Sequence, residues 1–217
     1  MKSKLEKLSF ILGLFASDGN LDVSRVRFFC SNEEIEFFTI TVKPIVDEVF
    51  STKTTLRRHD YSTYVLSINS AEVANTFKKL FNVEGKKGKT VGPPKCKFDK
   101  ALFVAGLLSG DGSIVISKNK GYKNKYPILF YVSASKNLIE FISRYFNNSK
   151  ISHYVHQRKD GNYQLVVKGS NLNNLFNYVP LLNPIQTSKL QILERFGSLE
   201  PYTTYQQRLN ILNAPVV

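Results

Sequence analysis

Two apolar stretches of the chain, residues 8–19 and 102–112, repeat one pattern of hydrophobic and small positions. Each places two small residues four apart, Gly13 and Ser17 in the first stretch and Gly106 and Gly110 in the second. Residues four apart lie on one face of a helix. Because that face carries no bulky side chain, we predict two helices that pack closely against each other.

Each predicted helix ends in an Asp-Gly pair within the shared frame Gly-Leu-x-x-x-Asp-Gly, so that Asp111 lies 93 residues after Asp18. A carboxylate in the last turn faces the negative end of the helix dipole, at a cost of about 0.3–1 kcal/mol. Asp-Gly is also a common turn and glycine a common helix stop, which would explain one copy. Two copies in the same frame indicate a functional use.

The positions after each Asp-Gly pair predict the same order of elements twice. In the first half, alternation of apolar and polar residues predicts a strand at 21–30 with Arg25 and Arg27 on one face. Apolar residues at helical spacing predict a helix at 35–49 despite Pro44. The remaining elements are hairpin strands at 53–60 and 63–69 and a helix at 71–81. The second half has strands at 113–117 and 127–133, a helix at 137–146, hairpin strands at 151–159 and 162–168, and helices at 172–179 and 188–196 before a polar tail.

Local matches support a duplication, since Ile35-Glu36-Phe37 corresponds to Ile139-Glu140-Phe141. The sequence therefore predicts an α+β fold, a pseudo-twofold tandem repeat of two αββαββα halves. The halves are predicted at residues 1–84 and 98–217, with a linker rich in Gly, Pro and Lys at 85–97. About 11 additional residues in the second half correspond to the lysine-rich loop at 118–125.

Charge narrows the class of partner. Thirty Lys and Arg against 17 Asp and Glu give a formal net charge of +13 and favour a polyanion, either nucleic acid or an anionic membrane surface. The chain lacks an apolar run of the roughly 18 residues that a spanning helix needs, and its opening residues lack a signal-peptide pattern. We therefore expect a soluble intracellular protein, in the cytoplasm, nucleoid or an organelle, with nucleic acid as its partner rather than a membrane.

The spacing of the two cysteines and three histidines does not indicate a metal centre. Cys30 and Cys96 are not part of a Cys-x-x-Cys pair, and they are expected to be buried or free thiols in a reducing compartment. His153 and His156 lie three apart in a predicted strand, so they point to opposite faces.

The paired aspartates are the better candidates for chemistry. If the two helices pack side by side, Asp18 and Asp111 meet at the same end, and two close carboxylates repel unless a cation lies between them. Oxygen ligands at an open site suit Mg²⁺. A bound metal ion lowers the pKa of a water molecule and stabilises a leaving oxygen, which fits phosphodiester hydrolysis. Cationic strands can enter the major groove of DNA.

These residues resemble the LAGLIDADG homing endonuclease family in its single-chain form with two motifs, which map onto residues 11–19 and 104–112. The resemblance implies two saddle-shaped sheets that straddle double-stranded DNA. It also implies a monomer that cleaves both strands of a long, asymmetric site with Mg²⁺ or Mn²⁺, as in intron homing. Ala16 and Ser109 stand where the family name spells its earlier Asp, a position that varies within the family.

Carried over by position, Asp18 and Asp111 are the expected metal-binding catalytic acids, and the carbonyls of Ser17 and Gly110 are further candidate ligands. The family has a supporting basic residue after the last helix of each half. That position corresponds to Lys87, with Lys86 and Lys89 as alternatives, and to Lys189.

The DNA-binding candidates share a position on predicted strands or in the loops beside them. They are Arg25, Arg27, Arg57, Arg58, Lys118, Lys120, Lys123, Lys125, Arg158 and Lys168. Two alternatives keep the fold and change the activity, namely a maturase that binds intron RNA and a DNA-binding protein that does not cut. A basic dimerisation module would explain the small-residue faces and leave the repeated aspartates unexplained.

Overall fold

The computed structural model describes residues 1–83, 88–117, 126–200 and 203–214. The α-helices are α1 (Lys4–Asp18), α2 (Ile35–Phe37), α3 (Lys43–Phe50), α4 (Ala71–Phe81), α5 (Lys100–Gly110), α6 (Lys136–Asn148), α7 (Asn171–Tyr178), α8 (Pro184–Phe196) and α9 (Tyr205–Asn213). The strands are β1 (Gly19–Leu21), β2 (Arg25–Ser31), β3 (Thr55–Arg58), β4 (Thr63–Asn69), β5 (Gly112–Ile116), β6 (Pro127–Ser133), β7 (Tyr154–Gln157) and β8 (Tyr163–Lys168).

The strands form two antiparallel sheets of matching topology. The first sheet has the order β1-β2-β4-β3 and the second has the order β5-β6-β8-β7. In each sheet the glycine after the motif aspartate pairs with an aromatic residue, Gly19 with Phe28 and Gly112 with Tyr131. The predicted α+β fold with an internal duplication is therefore confirmed.

Alternation along the strands decides which face of each sheet is covered. In β2, Val26, Phe28 and Cys30 are buried, while Arg25 and Arg27 point to the other side. The buried faces pack against helices and join one hydrophobic core that extends through both halves. We call the opposite face of each sheet its open face, and in the first sheet this face carries Arg25 and Arg27.

Helices α1 and α5 lie at the centre of this core. Eight successive residues of α1, from Ser9 to Ala16, are buried, as are eight of α5, from Leu102 to Ser109. A helix that is apolar on all sides must be surrounded by protein. Both helices begin at side-chain caps, since Ser3 forms a capping box with Glu6 and the Asp99 carboxylate accepts a hydrogen bond from the amide of Leu102.

Predicted elements differ from the structure most clearly at three places, and in addition α8 begins at Pro184 rather than at residue 188. The strand predicted at 21–30 is two strands, because a turn closed by the Asp22 carboxylate on the amide of Ser24 separates β1 from β2. The helix predicted at 35–49 is interrupted by a π-helical segment, Phe38–Val42, directly before Lys43 and Pro44. Proline has no N–H to donate and β-branched residues fit a regular helix poorly, which explains the wider turn at this point.

The polar tail also differs, because it contains helix α9. This helix packs on α8 through Arg208, which is 2% exposed and donates hydrogen bonds to Ser188 Oγ and to the carbonyl of Thr203. No helix within the described ranges combines the length and the apolar character that crossing a membrane requires.

Candidate functional site

The motif helices, α1 and α5, touch through their glycines. A Cβ atom built on Gly13 would lie 2.0 Å from the carbonyl oxygen of Phe103, and one built on Gly106 would lie 2.2 Å from the carbonyl oxygen of Phe10. Real Cβ atoms do not approach backbone this closely, so only glycine permits the contact. The predicted small-residue packing is therefore present.

The motif helices run in the same direction and end together. Contacts advance along both, from Gly13 beside Gly106 to Ser17 beside Gly110. A Cβ on Gly110 would lie 2.1 Å from Ser17 Oγ and 2.6 Å from an oxygen of the Asp18 carboxylate. Asp111 follows directly as the C-terminal cap of α5. The structure thus brings the two aspartate positions to one end of the helix pair.

The charges of the aspartates influence groups in both sheets. Burial is the main cause that raises the pKa of the Tyr131 hydroxyl well above its usual value, and the negative charges of Asp111 and Asp18 add to the effect. Burial likewise raises the pKa of Cys30 to about 12, with contributions from the charges of Glu34 and Asp18. Both groups stay neutral at physiological pH, so they add no negative charge beside the aspartates.

Two buried amides cap the end of the second motif helix. Asn183 donates from Nδ2 to the carbonyl of Ser109 at 3.0 Å, and Gln186 donates from Nε2 to the carbonyls of Leu108 at 2.9 Å and Gly112 at 2.7 Å. The last carbonyls of a helix have no partner within it. These amides satisfy them on both sides of Asp111 and fix the backbone there.

Asn183 also joins the two halves, since its Nδ2 lies 3.4 Å from Glu34 Oε1 of the first half. Sequence reasoning missed both amides. The available signal was the Asn183-Pro184 pair, which forms the N-cap and first position of α8 and marks the start of a helix.

The predicted basic residues differ in their placement. Lys189 lies on α8, and its ammonium donates to the carbonyl of Ile114 on β5 at 2.9 Å. Burial is the main cause that lowers the pKa of Lys189, and the positive charge of Arg208 adds to it. Lys189 borders a cavity of about 590 Å³ between β5 and the C-terminal segment. Lys87 and Lys86 lie outside the described residues, and Lys89 is exposed.

The arginines of the first sheet divide between its faces. Strand register places Arg25, Arg27 and Arg57 on the open face, whereas Arg58 shares its side with Leu56 and packs over the ring of Tyr61. Arg58 therefore does not join the other three. Asp22, in the turn between β1 and β2, forms ion pairs with both Arg25 and Arg27. Its carboxylate oxygen lies 3.0 Å from Arg25 Nη2 and 3.5 Å from Arg27 Nη2.

In the second sheet, Lys168 lies on the open face with its ammonium 4.8 Å from the centroid of the Tyr154 ring. Arg158 follows β7 and is paired with Asp160 at 3.3 Å. The predicted loop residues Lys118, Lys120, Lys123 and Lys125 lie outside the described residues.

The donor set at the helix ends fits a hard divalent cation. Asp18 and Asp111 would supply carboxylate oxygens to such a cation, and the adjacent residues Ser17 and Gly110 would supply carbonyls. In the part of the chain that the structure describes, no group of three or more His, Cys, Asp or Glu side chains is arranged to hold a metal ion. Mg²⁺ is usually bound by one or two carboxylates together with substrate phosphates and water, so two carboxylates suit such a site.

Two sequence comparisons relate this chain to known proteins. Residues 99–180 match the sequence model described as a LAGLIDADG-like domain. The chain is 25% identical over 182 residues to a component of the A-type ATP synthase of Methanopyrus kandleri (strain AV19). That match covers 82% of this chain and spans only 16% of the length of the relative.

Solved structures share the architecture across most of the chain. The homing endonuclease I-DmoI, solved in complex with DNA and Mn, has a TM-score of 0.56 at 17% identity and covers 82% of this chain and 98% of its own. The I-SmaMI LAGLIDADG homing endonuclease bound to cleaved DNA has a TM-score of 0.58 at 12% identity, covering 93% of this chain and 94% of its own. Over most of its length the chain thus has the fold of single-chain LAGLIDADG homing endonucleases, and residues 99–180 match a LAGLIDADG-like domain.

Proposed function

We propose that this protein is a metal-dependent DNA endonuclease that cuts both strands of a long, asymmetric site. The observation that carries the proposal is the convergence of two parallel helices, each ending at an aspartate, between two sheets with exposed open faces. The solved neighbours bound to DNA, one of them with Mn, support the same substrate and a divalent cation. The net charge of +13 supports binding to the phosphate backbone.

Asp18 and Asp111 are the proposed metal ligands, with the carbonyls of Ser17 and Gly110 as additional oxygen donors. A divalent cation held there supplies an activated water and stabilisation of the leaving oxygen. The contribution of the chain is geometric. The glycine contacts fix the distance between the helix ends, and Asn183 and Gln186 hold the backbone beside Asp111.

Lys189 is the proposed supporting cation of the second half and Lys87 that of the first. Burial lowers the pKa of Lys189, and its ammonium is anchored on β5 two residues beyond Gly112. A positive charge near the helix ends would balance the charge that develops on the phosphate during hydrolysis. We further propose halves at residues 1–84 and 98–217, joined by the linker at 85–97, and a monomer as the active form.

The experiment is cleavage of a randomised DNA library, followed by sequencing of the cut ends. We expect one enriched target, cut on both strands with Mg²⁺ or Mn²⁺ and left intact with a chelator. Specific binding without any cutting in either metal would favour a DNA-binding protein of the same fold. Specific binding to RNA but not to DNA would favour a maturase. Cutting that continues in the chelator would contradict the metal assignment.

A further inference from the structure

Strand registers make positions of the two sheets directly comparable. Gly19 pairs with Phe28, and Gly112 pairs with Tyr131, so Phe28 corresponds to Tyr131. Beyond this anchor, Phe28 pairs with Leu66 of β4, and Tyr131 pairs with Leu165 of β8. Counting the same number of residues from these paired positions in each sheet gives, for each arginine of the first open face, the equivalent residue of the second. Arg25 corresponds to Ile128, Arg27 to Phe130 and Arg57 to His156.

The two open faces therefore differ in chemistry at equivalent positions. The first carries three arginines, whose guanidinium groups suit guanine edges and phosphates. The second is largely apolar and aromatic. Its open-face residues are Ser113, Val115, Ile128, Phe130, Val132, Tyr154, His156, Gln164, Val166 and Lys168.

Apart from Val166, which is fully buried, the apolar residues of the second open face are not among the buried core residues. The core side of this sheet is made by Ile114, Leu129 and Val167, each fully buried. On the open side, Val115 is 46% and Tyr154 is 43% exposed, while Ile128, Phe130 and Val132 are half-buried. An exposed patch of this kind on a basic protein indicates a binding surface.

The occupant of this face is fixed by its continuity with the first sheet. The motif helices relate the two sheets by the internal duplication, so DNA that lies along the arginine face continues under the second sheet. Lys168, which pairs with Ile128, supplies a positive charge on the same face, with its ammonium over the Tyr154 ring. In the major groove, the apolar group that a base presents is the C5-methyl of thymine.

We propose that the two sheets bind half-sites of different composition, with guanine edges under the first sheet and thymine methyl groups of an A·T-rich half-site packed on the second. This inference rests on the proposed function and specifies its substrate. Ile128, Val132 and Val115 make the methyl contacts, and Arg27 and Arg57 make the guanine contacts. His156, at the position of Arg57, leaves the second half-site without an equivalent guanine contact.

The test uses a duplex selected by the full-length protein from a random pool, with binding measured without metal. Thymines are replaced by uracil one half-site at a time, which removes only the C5-methyl groups. We expect uracil in one half-site to weaken binding by about fourfold for each contacted methyl, the factor that corresponds to burial of one such group. Uracil in the other half-site should leave affinity unchanged.

Variants identify which sheet lies over which half-site. Ile128→Ser and Val132→Ser should reduce the uracil penalty, and Arg27→Ala should relax base choice only in the half-site where uracil is neutral. Ile40→Ser is the matched control, because Ile40 is 67% exposed and lies outside both sheets. Circular dichroism and thermal unfolding establish that each variant is folded.

The outcomes separate the two proposals. If replacing thymine by uracil leaves the binding affinity unchanged in both half-sites, this inference is overturned and the endonuclease proposal stands. The same holds if the uracil penalty survives in the Ile128 and Val132 variants, or if both half-sites contain guanine at contacted positions. A pool with no enriched sequence would overturn the proposed function, and this inference with it.

Discussion

Gly13 and Gly106 face each other so closely that a Cβ built on Gly106 would lie 2.9 Å from the Cα of Gly13 and 2.2 Å from the carbonyl of Phe10. Backbone therefore meets backbone at the centre of the molecule. The distance between the two helix ends, and with it the spacing of Asp18 and Asp111, depends on this contact.

Gly106→Ala should force the motif helices apart. The clash is with backbone rather than with a flexible side chain, so we expect a loss in the free energy of unfolding of at least about 1–3 kcal/mol, the usual cost of overpacking. Urea titration measures it. Gly92→Ala is the control, because its Cβ would meet only Asn137 at 3.7 Å. Equal stability of the two variants would contradict close packing as the reason for glycine at position 106.

The amides on α8 give a second prediction. Gln186→Ala removes the donor that serves the carbonyls of Leu108 and Gly112, and leaving buried carbonyls unpaired costs about 1–3 kcal/mol. Gln191→Ala, at an exposed position of the same helix, should change stability by less than about 0.5 kcal/mol.

The Gln186 variant should also lose cleavage at the strand served by Asp111 more than at the strand served by Asp18. A nicking assay on duplex labelled at both strands measures this ratio. Equal loss at both strands, together with unchanged stability, would show that the amide does not position the second motif helix.

Cys30 gives a prediction for alkaline pH. Its pKa is about 12 in the folded protein against 9.0 for an ordinary thiol, so between these values the unfolded chain has released the proton while the folded chain retains it. Stability therefore falls as pH rises from 9 to 12, by about 1.4 kcal/mol per pH unit for this group alone. Below pH 9 the thiol has no effect on the pH dependence.

The buried Tyr131 hydroxyl also makes stability fall as pH rises, at still higher pH. The contribution of Cys30 is therefore measured as the difference between the parent protein and a Cys30 variant. Cys30→Ala should flatten the decline between pH 9 and 12 relative to the parent. Cys96→Ala should flatten it less, because Cys96 is less buried. Parallel curves for the parent and Cys30→Ala would contradict burial of this thiol.

The sequence predicted the elements whose pattern is local and repeated. Strand β4 and helix α4 agree with the predicted residues 63–69 and 71–81, since alternating and helical spacing are unambiguous there. The pairing of the motif helices was also predicted, because small residues recur in the same frame in both.

Other features were not predicted. The interruption between α2 and α3 has a local signal in Pro44 and the β-branched residues before it, but that signal does not specify a π-helical turn. Helix α9 is stabilised by one buried arginine in an otherwise polar segment. The roles of Asn183 and Gln186 depend on carbonyls more than 70 residues away. The Asn183-Pro184 pair marks the start of a helix, but a single sequence does not show which carbonyls its amides contact.

The central claim, that Asp18 and Asp111 carry metal-dependent cleavage, is tested most directly by Asp18→Asn combined with Asp111→Asn. Cleavage and binding are measured on the same target duplex with Mg²⁺, for the parent, both single variants and the double variant. Asparagine keeps the shape and removes one negative charge, so binding should hold or strengthen. Single variants should nick one strand, and the double variant should cut neither. Double-strand cleavage by the double variant would contradict the assignment.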